Sequence, residues 1–289
     1  MINKRVGFLG TFNGGTTAGS KLQFELPTRG SYYAFAIRAK HSGGLLTDAQ
    51  LASVIGDVEM VLSGRQVIKS PALRLKQLAQ LQQSNSAAND GIIPVLGYVP
   101  YFDLFNQRFN LSWAMKGVSS ATLYINIADP STLTGITFEL YADYDPTDID
   151  RLGAYACYGY QDFVVSGLGQ FDVNTVNTYG KGTAIRSHHL ELVGGTDPTI
   201  DSVQIELNNN VLINNMTPTV NAVLNGLSRR ESVIGTSPFA LDLIYDGANI
   251  PTAAWIMDKD FKMRLRATIG GSAAPTAIRM HTMYIEGIS

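Results

Sequence analysis

Ile55-Gly-Asp-Val58-Glu-Met60-Val-Leu62 and Ile200-Asp-Ser-Val203-Gln-Ile205-Glu-Leu207 are two copies of one pattern, 145 residues apart. In each, apolar residues recur at period two, which puts the apolar set on one face of a β-strand. A polar turn follows, Ser63-Gly64-Arg65 in the first copy and Asn208-Asn209-Asn210 in the second, and then an apolar pair, Val67-Ile68 and Leu212-Ile213. The copies close on Ser70-Pro71 and Thr217-Pro218, with the prolines 147 residues apart, and each opens a helical run. A Ser or Thr side chain caps orphan backbone N–H groups there, and proline suits the first helical position because no N–H is needed. Leu62 with Leu207, and Pro71 with Pro218, therefore mark equivalent points of a repeat.

The repeat continues beyond the helix. Trp113-Ala-Met115 and Trp255-Ile-Met257 stand 142 residues apart and hold the only two tryptophans in the chain. At that same offset Leu123 matches Leu265, Ile127 matches Ile269 and Ile136 matches Ile278. Chance pairs apolar residues often, but it rarely pairs the scarcest residue type within an ordered set of strands. The chain reads as an internal duplication.

A length of 289 residues suits two domains, in agreement with a repeat near 145. Charged residues are 16% and the net charge is −2, so the unopposed Lys and Arg that coat a nucleic acid are missing. The single cysteine, Cys157, has no partner for an intramolecular disulfide and reads as a small buried apolar residue. No run of ~18 apolar residues offers a transmembrane helix. Lys4-Arg5 precedes an apolar patch over Val6 to Phe12, but Gly7 and Gly10 break it, so it does not read as a secretion signal. The chain is expected to be made and, at least initially, kept in a cytoplasm.

Residues 1–16, ending Asn13-Gly-Gly-Thr16, read as a flexible N-terminal arm. Short alternating segments then recur over 21–26, 32–39, 57–62 and 66–69, and a helix follows Ser70 with Leu75, Leu78 and Ala79 inward and Arg74, Lys76 and Gln77 outward. A loop is expected over 83–90, and strands over 93–104, 107–115, 121–128 and 135–143. The second half repeats this with strands near 155–165, 184–193, 239–245, 253–257, 261–269 and 277–287. Val220, Val223, Leu224 and Leu227 form its amphipathic helix stripe. Seven or eight strands with one helix per half fit two β-sandwiches or barrels, whereas parallel βαβ units would need a helix between most strands. The expected layout is an arm at 1–16, a first sandwich at 17–145, a linker at 146–152 and a second sandwich at 153–289.

Few residues suggest chemistry. Asp143, Asp145, Asp148 and Asp150 are dense enough to hold a hard cation such as Ca²⁺, yet lack the glycine and terminal glutamate of an EF-hand, and a solvated linker explains them. His188-His189 in a strand point to opposite faces and cannot chelate one metal, so half-exposed structural histidines are expected. His41 and His281 have no partner in sequence. No Gly-x-Ser-x-Gly elbow, Gly-x-x-x-x-Gly-Lys-Ser/Thr loop or complete Gly-x-Gly-x-x-Gly occurs, and no catalytic residue is expected. Tyr155, Tyr158 and Tyr160 would suit sugar stacking or buried packing. A carbohydrate-binding tandem sandwich, receptor-binding or lectin-like, is thus one alternative, and a β-sandwich hydrolase with an unseen triad is another.

The segment Val58-Glu-x-x-Leu62-Ser-Gly64-Arg65, with a leucine-rich helix after it and a tandem sandwich of this size around it, resembles the double jelly-roll major capsid proteins of tailless icosahedral viruses with an internal membrane. The likeness is to corticovirus-type bacteriophage coats first, and more distantly to tectivirus coats and adenovirus hexon. It covers residues 17–289, and because the second copy has three asparagines where the first has Ser-Gly-Arg, no role passes to Arg65 in both halves. The resemblance implies two tandem jelly rolls, each with one short helix after the fourth-strand region, and a homotrimer forming a pseudo-hexameric capsomer. It further implies lateral contacts with neighbouring capsomers in an icosahedral virion shell. Contacts of the arm with an inner membrane or minor capsid proteins are expected, and no sequence-specific nucleic-acid binding.

Overall fold

The computed structural model describes residues 5–81, 90–97, 112–130, 133–147, 155–174, 183–207, 209–227, 239–242, 255–257 and 263–286. They fall into two units, Met1–Gly159 and Tyr160–Ser289. The division comes later than the join expected at 146–152, because residues 155–159 pack with the first unit.

The first unit contains β1 (Arg5–Thr11), β2 (Lys21–Glu25), β3 (Ser31–His41), β4 (Gly44–Leu45), α1 (Asp48–Val54), β5 (Ile55–Leu62), β6 (Arg65–Pro71), α2 (Ala72–Leu81), β7 (Ile92–Leu96), β8 (Trp113–Ala114), β9 (Ala121–Ile127) and β10 (Thr137–Asp145). One sheet runs β1-β10-β3 with β4, β7 and β8 beyond β3, and the other runs β2-β9-β5-β6. Those two strand orders are a jelly roll. Its core takes the inward residues of both sheets, among them Phe35, Ile37, Met60, Leu123, Ile125 and Leu140, all buried.

The second unit takes β11 (Tyr155–Val164) from Tyr160 onward, and contains β12 (Gly169–Asn174), β13 (Thr183–Val193), β14 (Pro198–Leu207), β15 (Asn210–Met216), α3 (Pro218–Leu227), β16 (Phe239–Asp242), β17 (Trp255–Met257), β18 (Met263–Gly271) and β19 (Ala277–Glu286). Its sheets run β11-β19-β13-β16, with β17 also on β13, and β12-β18-β14-β15. Strand for strand this is the first topology again.

The equivalence extends to register. Ile55, Met60 and Leu62 face Ile127, Leu123 and Ala121, while Ile200, Ile205 and Leu207 face Ile269, Leu265 and Met263. Offsets of 145 on one strand and 142 on its partner thus hold together, and each copy has a register shift in the same early stretch of the strand. Trp113 lies opposite Tyr32 on β3 and Trp255 opposite Ile185 on β13, the same place in each roll. The β5–β6 hairpin turns on Ser63 and Gly64 with φ of 49° and 81°, which is the type I′ pattern whose twist matches its strands. Asn209, with φ of 67°, meets the same demand in the second copy, because asparagine tolerates the left-handed region.

Four features depart from expectation. Residues 5–11, placed in a flexible arm, form β1 on β10. Gly10 is required there by close approach, since a Cβ would lie 2.9 Å from the Phe24 ring. With β1 and the short β4 counted, the main helix follows the sixth strand of the first roll and the fifth of the second, and the first roll carries α1 in addition. Arg74 and Lys76, expected outside, are buried, and Lys76 forms an ion pair with Asp48 of α1. On α3 the valines Val220 and Val223 are exposed and Asn221 is buried, donating from Nδ2 to the Ala240 carbonyl at 2.5 Å. The expected loop at 83–90 (save Asp90), the strand stretches 98–104 and 107–111 and most of the linker at 146–152 lie outside the described residues.

Trp113 ties the first roll together. It is fully buried, its ring stacks on Phe35 at 5.4 Å, and its Nε1 donates to the Ala156 carbonyl at 3.0 Å. We expect Trp113→Ala to lower unfolding stability by about 3–5 kcal/mol, and Trp113→Phe to cost less because it keeps the stack and loses the hydrogen bond of about 1 kcal/mol. Urea unfolding monitored by circular dichroism checks both values.

Candidate assembly surfaces and buried polar sites

His188 and His189 do point to opposite faces of β13, but both are buried rather than half-exposed. In the cross-strand pairing His188 faces Thr282, where the first roll, matched at the register shifts beside Tyr144 and Tyr284, pairs Phe35 with Ala142. A polar pair has replaced an apolar one inside the second core. His188 Nδ1 lies 2.9 Å from Thr282 Oγ1 and its Nε2 is buried with no partner, and burial pushes its pKa down to about 3.

On the other face of the sheet, His189 lies opposite His281. His281 Nε2 approaches Glu191 at 2.8 Å, and the Tyr160 ring lies 5.6 Å from the His281 ring. Arg279 covers Tyr160 at 4.6 Å and grips Asp162 with two bonds, 2.7 and 2.8 Å, which lower the Asp162 pKa. The first roll puts Tyr141 at the His281 position, and its Glu139, which faces Arg38 and bonds to Arg38 and Lys40, stands where Arg279 faces Glu191 in the second. The same surface is kept polar in both copies with the signs exchanged, so these groups read as interlocked sheet-face pairs.

The acidic cluster is described at Asp143 and Asp145 only. Asp145 is fully buried, and its Oδ1 accepts from Thr147 N at 2.9 Å and Thr147 Oγ1 at 2.5 Å, as a turn cap. Asp143 lies on the same strand β10, and Asp148 and Asp150 are outside the described residues. Among the described residues no three His, Cys, Asp or Glu gather in a metal-binding arrangement. Asp143 and Asp145 alone do not supply the six to eight oxygens that Ca²⁺ takes. The tyrosines form no open stacking face: Tyr158 is buried with its hydroxyl on the Leu96 carbonyl at 2.5 Å, Tyr155 receives Arg65 Nη1 at 3.2 Å, and Tyr160 lies beneath Arg279. Cys157 is buried, forms no disulfide and has its Sγ 4.0 Å from the Tyr155 carbonyl oxygen.

The strand edges differ in character. β2 turns Lys21, Gln23 and Glu25 outward, and β12 carries Gln170 and Asp172, with Asp172 bonded to Arg264 at 2.5 Å and Arg266 at 2.9 Å. Polar and charged residues on an edge discourage further pairing. β1 and β15 do the opposite and expose Val6 with Phe8, and Val211 with Leu212. Reading the sequence for core positions missed these four. The one available signal was Leu212-Ile213, since successive apolar residues on a strand leave one of them facing away from the core.

No protein-family model matches the chain, and no curated protein matches it in sequence. Solved structures do. The major capsid protein P2 from bacteriophage PM2 superposes with a TM-score of 0.79 at 14% identity, over 98% of this chain and 97% of that one. This chain shares its fold with viral major capsid proteins. The STIV major capsid protein superposes at 0.67 and 9% identity, over 98% and 97% of the two chains, and PBCV-1 VP54 at 0.65 and 12%, over 99% and 94%. The double jelly-roll architecture that the resemblance implied is thereby established.

The buried His188 makes a pH prediction. An unfolded histidine takes up a proton near pH 6.5, while the folded one stays neutral to about 3, so the unfolded state binds more protons between those values. Stability must fall as pH drops through that window, at up to about 1.4 kcal/mol per pH unit for this one group. We expect His188→Phe, which places there the residue of its first-roll counterpart Phe35, to flatten the decline in melting temperature between pH 6.5 and 4. Differential scanning calorimetry at several pH values measures it.

Proposed function

We propose that this chain is the major coat protein of an icosahedral virion, acting structurally and without catalysis. The observation that carries the reading is full-length superposition, at a TM-score of 0.79, on a bacteriophage major capsid protein by a chain whose two rolls repeat in topology and register. The physical logic supports it independently. A duplicated module lets three chains present six similar flanks, so near-equivalent lateral contacts can tile a shell with half the number of chains. Low charge suits broad subunit contact, because interface cores are depleted of charged residues.

The proposed assembly unit is a homotrimer that packs against neighbouring capsomers. Its N-terminal residues 1–4, just before β1, are the part proposed to reach an inner membrane or minor capsid proteins. The carbohydrate-binding reading loses ground, since the tyrosines it relied on are buried or bonded within the protein.

Light scattering coupled to size-exclusion chromatography tests the trimer. The expected mass is three times that of the 31.3 kDa chain. A protein that stays at the single-chain mass at every concentration sinks the reading.

A further inference from the structure

Val67 and Leu212 occupy one position in the two rolls, since Met60 faces Ile68 as Ile205 faces Ile213. Their surroundings differ sharply: Val67 is 0% exposed and Leu212 is 50% exposed. Along β6 the outer edge is taken, because Tyr158 of β11 pairs with Ile68 in parallel register. Along β15 the edge is free among the described strands, and Val211 stands beside Leu212 at the same 50% exposure. An unpaired apolar edge strand is a template for another strand.

The complementary element is also visible. β11 is the first strand of the second roll, and β1 is the first strand of the first roll, each beside the last strand of its own roll. β1 ends its sheet and presents Val6 at 75% and Phe8 at 57% exposure. Two of the other sheet ends, β2 and β12, are polar, and β1 and β15, one of each kind, are the end strands whose described residues expose two large apolar side chains each. We infer that β15 of one copy receives β1 of a second copy, side by side and parallel, reproducing between chains the contact that β6 makes with the start of β11 within one chain. The inference rests on the trimer proposed above and specifies its interface. Such a contact joins unlike edges, so it is heterologous and propagates from copy to copy until it closes. Three chains then give a ring of six equivalent strand contacts, alternately within and between chains.

Cysteine cross-linking tests the register-level claim. In a Cys157→Ser background, Val211→Cys or Leu212→Cys is combined with Val6→Cys or Phe8→Cys, and the protein is oxidised in dilute solution. At least one of the four double variants is expected to run as disulfide-linked dimer and trimer on a non-reducing gel and as monomer after reduction. Gln23→Cys with Gln170→Cys, on the polar edges, is expected to stay monomeric on the gel. A three-chain native mass with no linked species from any of the four pairs overturns this interface while leaving the trimer standing, and so does linkage confined to single chains. A single-chain native mass overturns both. Leu212→Glu, at an exposed site that leaves the roll folded by circular dichroism, should weaken assembly by about tenfold or more. Unchanged assembly of that folded variant also overturns the proposal.

Discussion

Each roll depends on one antiparallel pairing, β5 with β9 and β14 with β18, whose register fixes which side chains enter the core. The side-chain period of a strand is two, so a slip of one residue would turn Met60 and Leu123, or Ile205 and Leu265, out of the core and their polar neighbours in. The two copies hold the same partners although the offset is 145 on one strand and 142 on the other. The loss of three residues lies in the connections, where length is cheap, and none of it in the ladder, where register is not. Every other strand takes its place from these pairs. β2 and β12 flank them on one side, and the hairpins to β6 and β15 flank them on the other.

The copies diverge where that constraint is slack. Phe35 with Ala142 became His188 with Thr282, which keeps the strand pairing and exchanges apolar contact for a buried hydrogen bond. Glu139 facing Arg38 became Arg279 facing Glu191, which keeps a polar face and reverses its signs. The first roll added α1, and with it a partner that lets Lys76 be buried on α2. The second roll has only a short turn between β13 and β14, and on α3 the equivalent position is Val223, left exposed. Duplication therefore preserved backbone registry while side chains specialised by location.

Much of this was legible from residues. The period-two runs, the Ser-Pro and Thr-Pro helix starts and the paired tryptophans are local signals, because strand alternation and capping act over a few residues. β1 was not legible. Its glycines read as flexibility, whereas Gly10 is there because Phe24 leaves no room for a side chain. Arg74 and Lys76 were misplaced for a related reason: helical periodicity shows which residues share a face, and says nothing of a second element, α1, covering the opposite face.

The sequence by itself determined that an ancestral β-sandwich occurs twice, which residues line each core, and that the chain lacks the charge to coat nucleic acid, since all three follow from composition and short-range periodicity. Only the tertiary structure decided that the sandwiches are jelly rolls, that His188 and His189 are both buried, and which strand edges remain open. Edge and burial depend on which distant segment lies alongside, a property of long-range packing. Val67 and Leu212 are alike in sequence, and differ in exposure because residues 155–159 run beside one and nothing described runs beside the other.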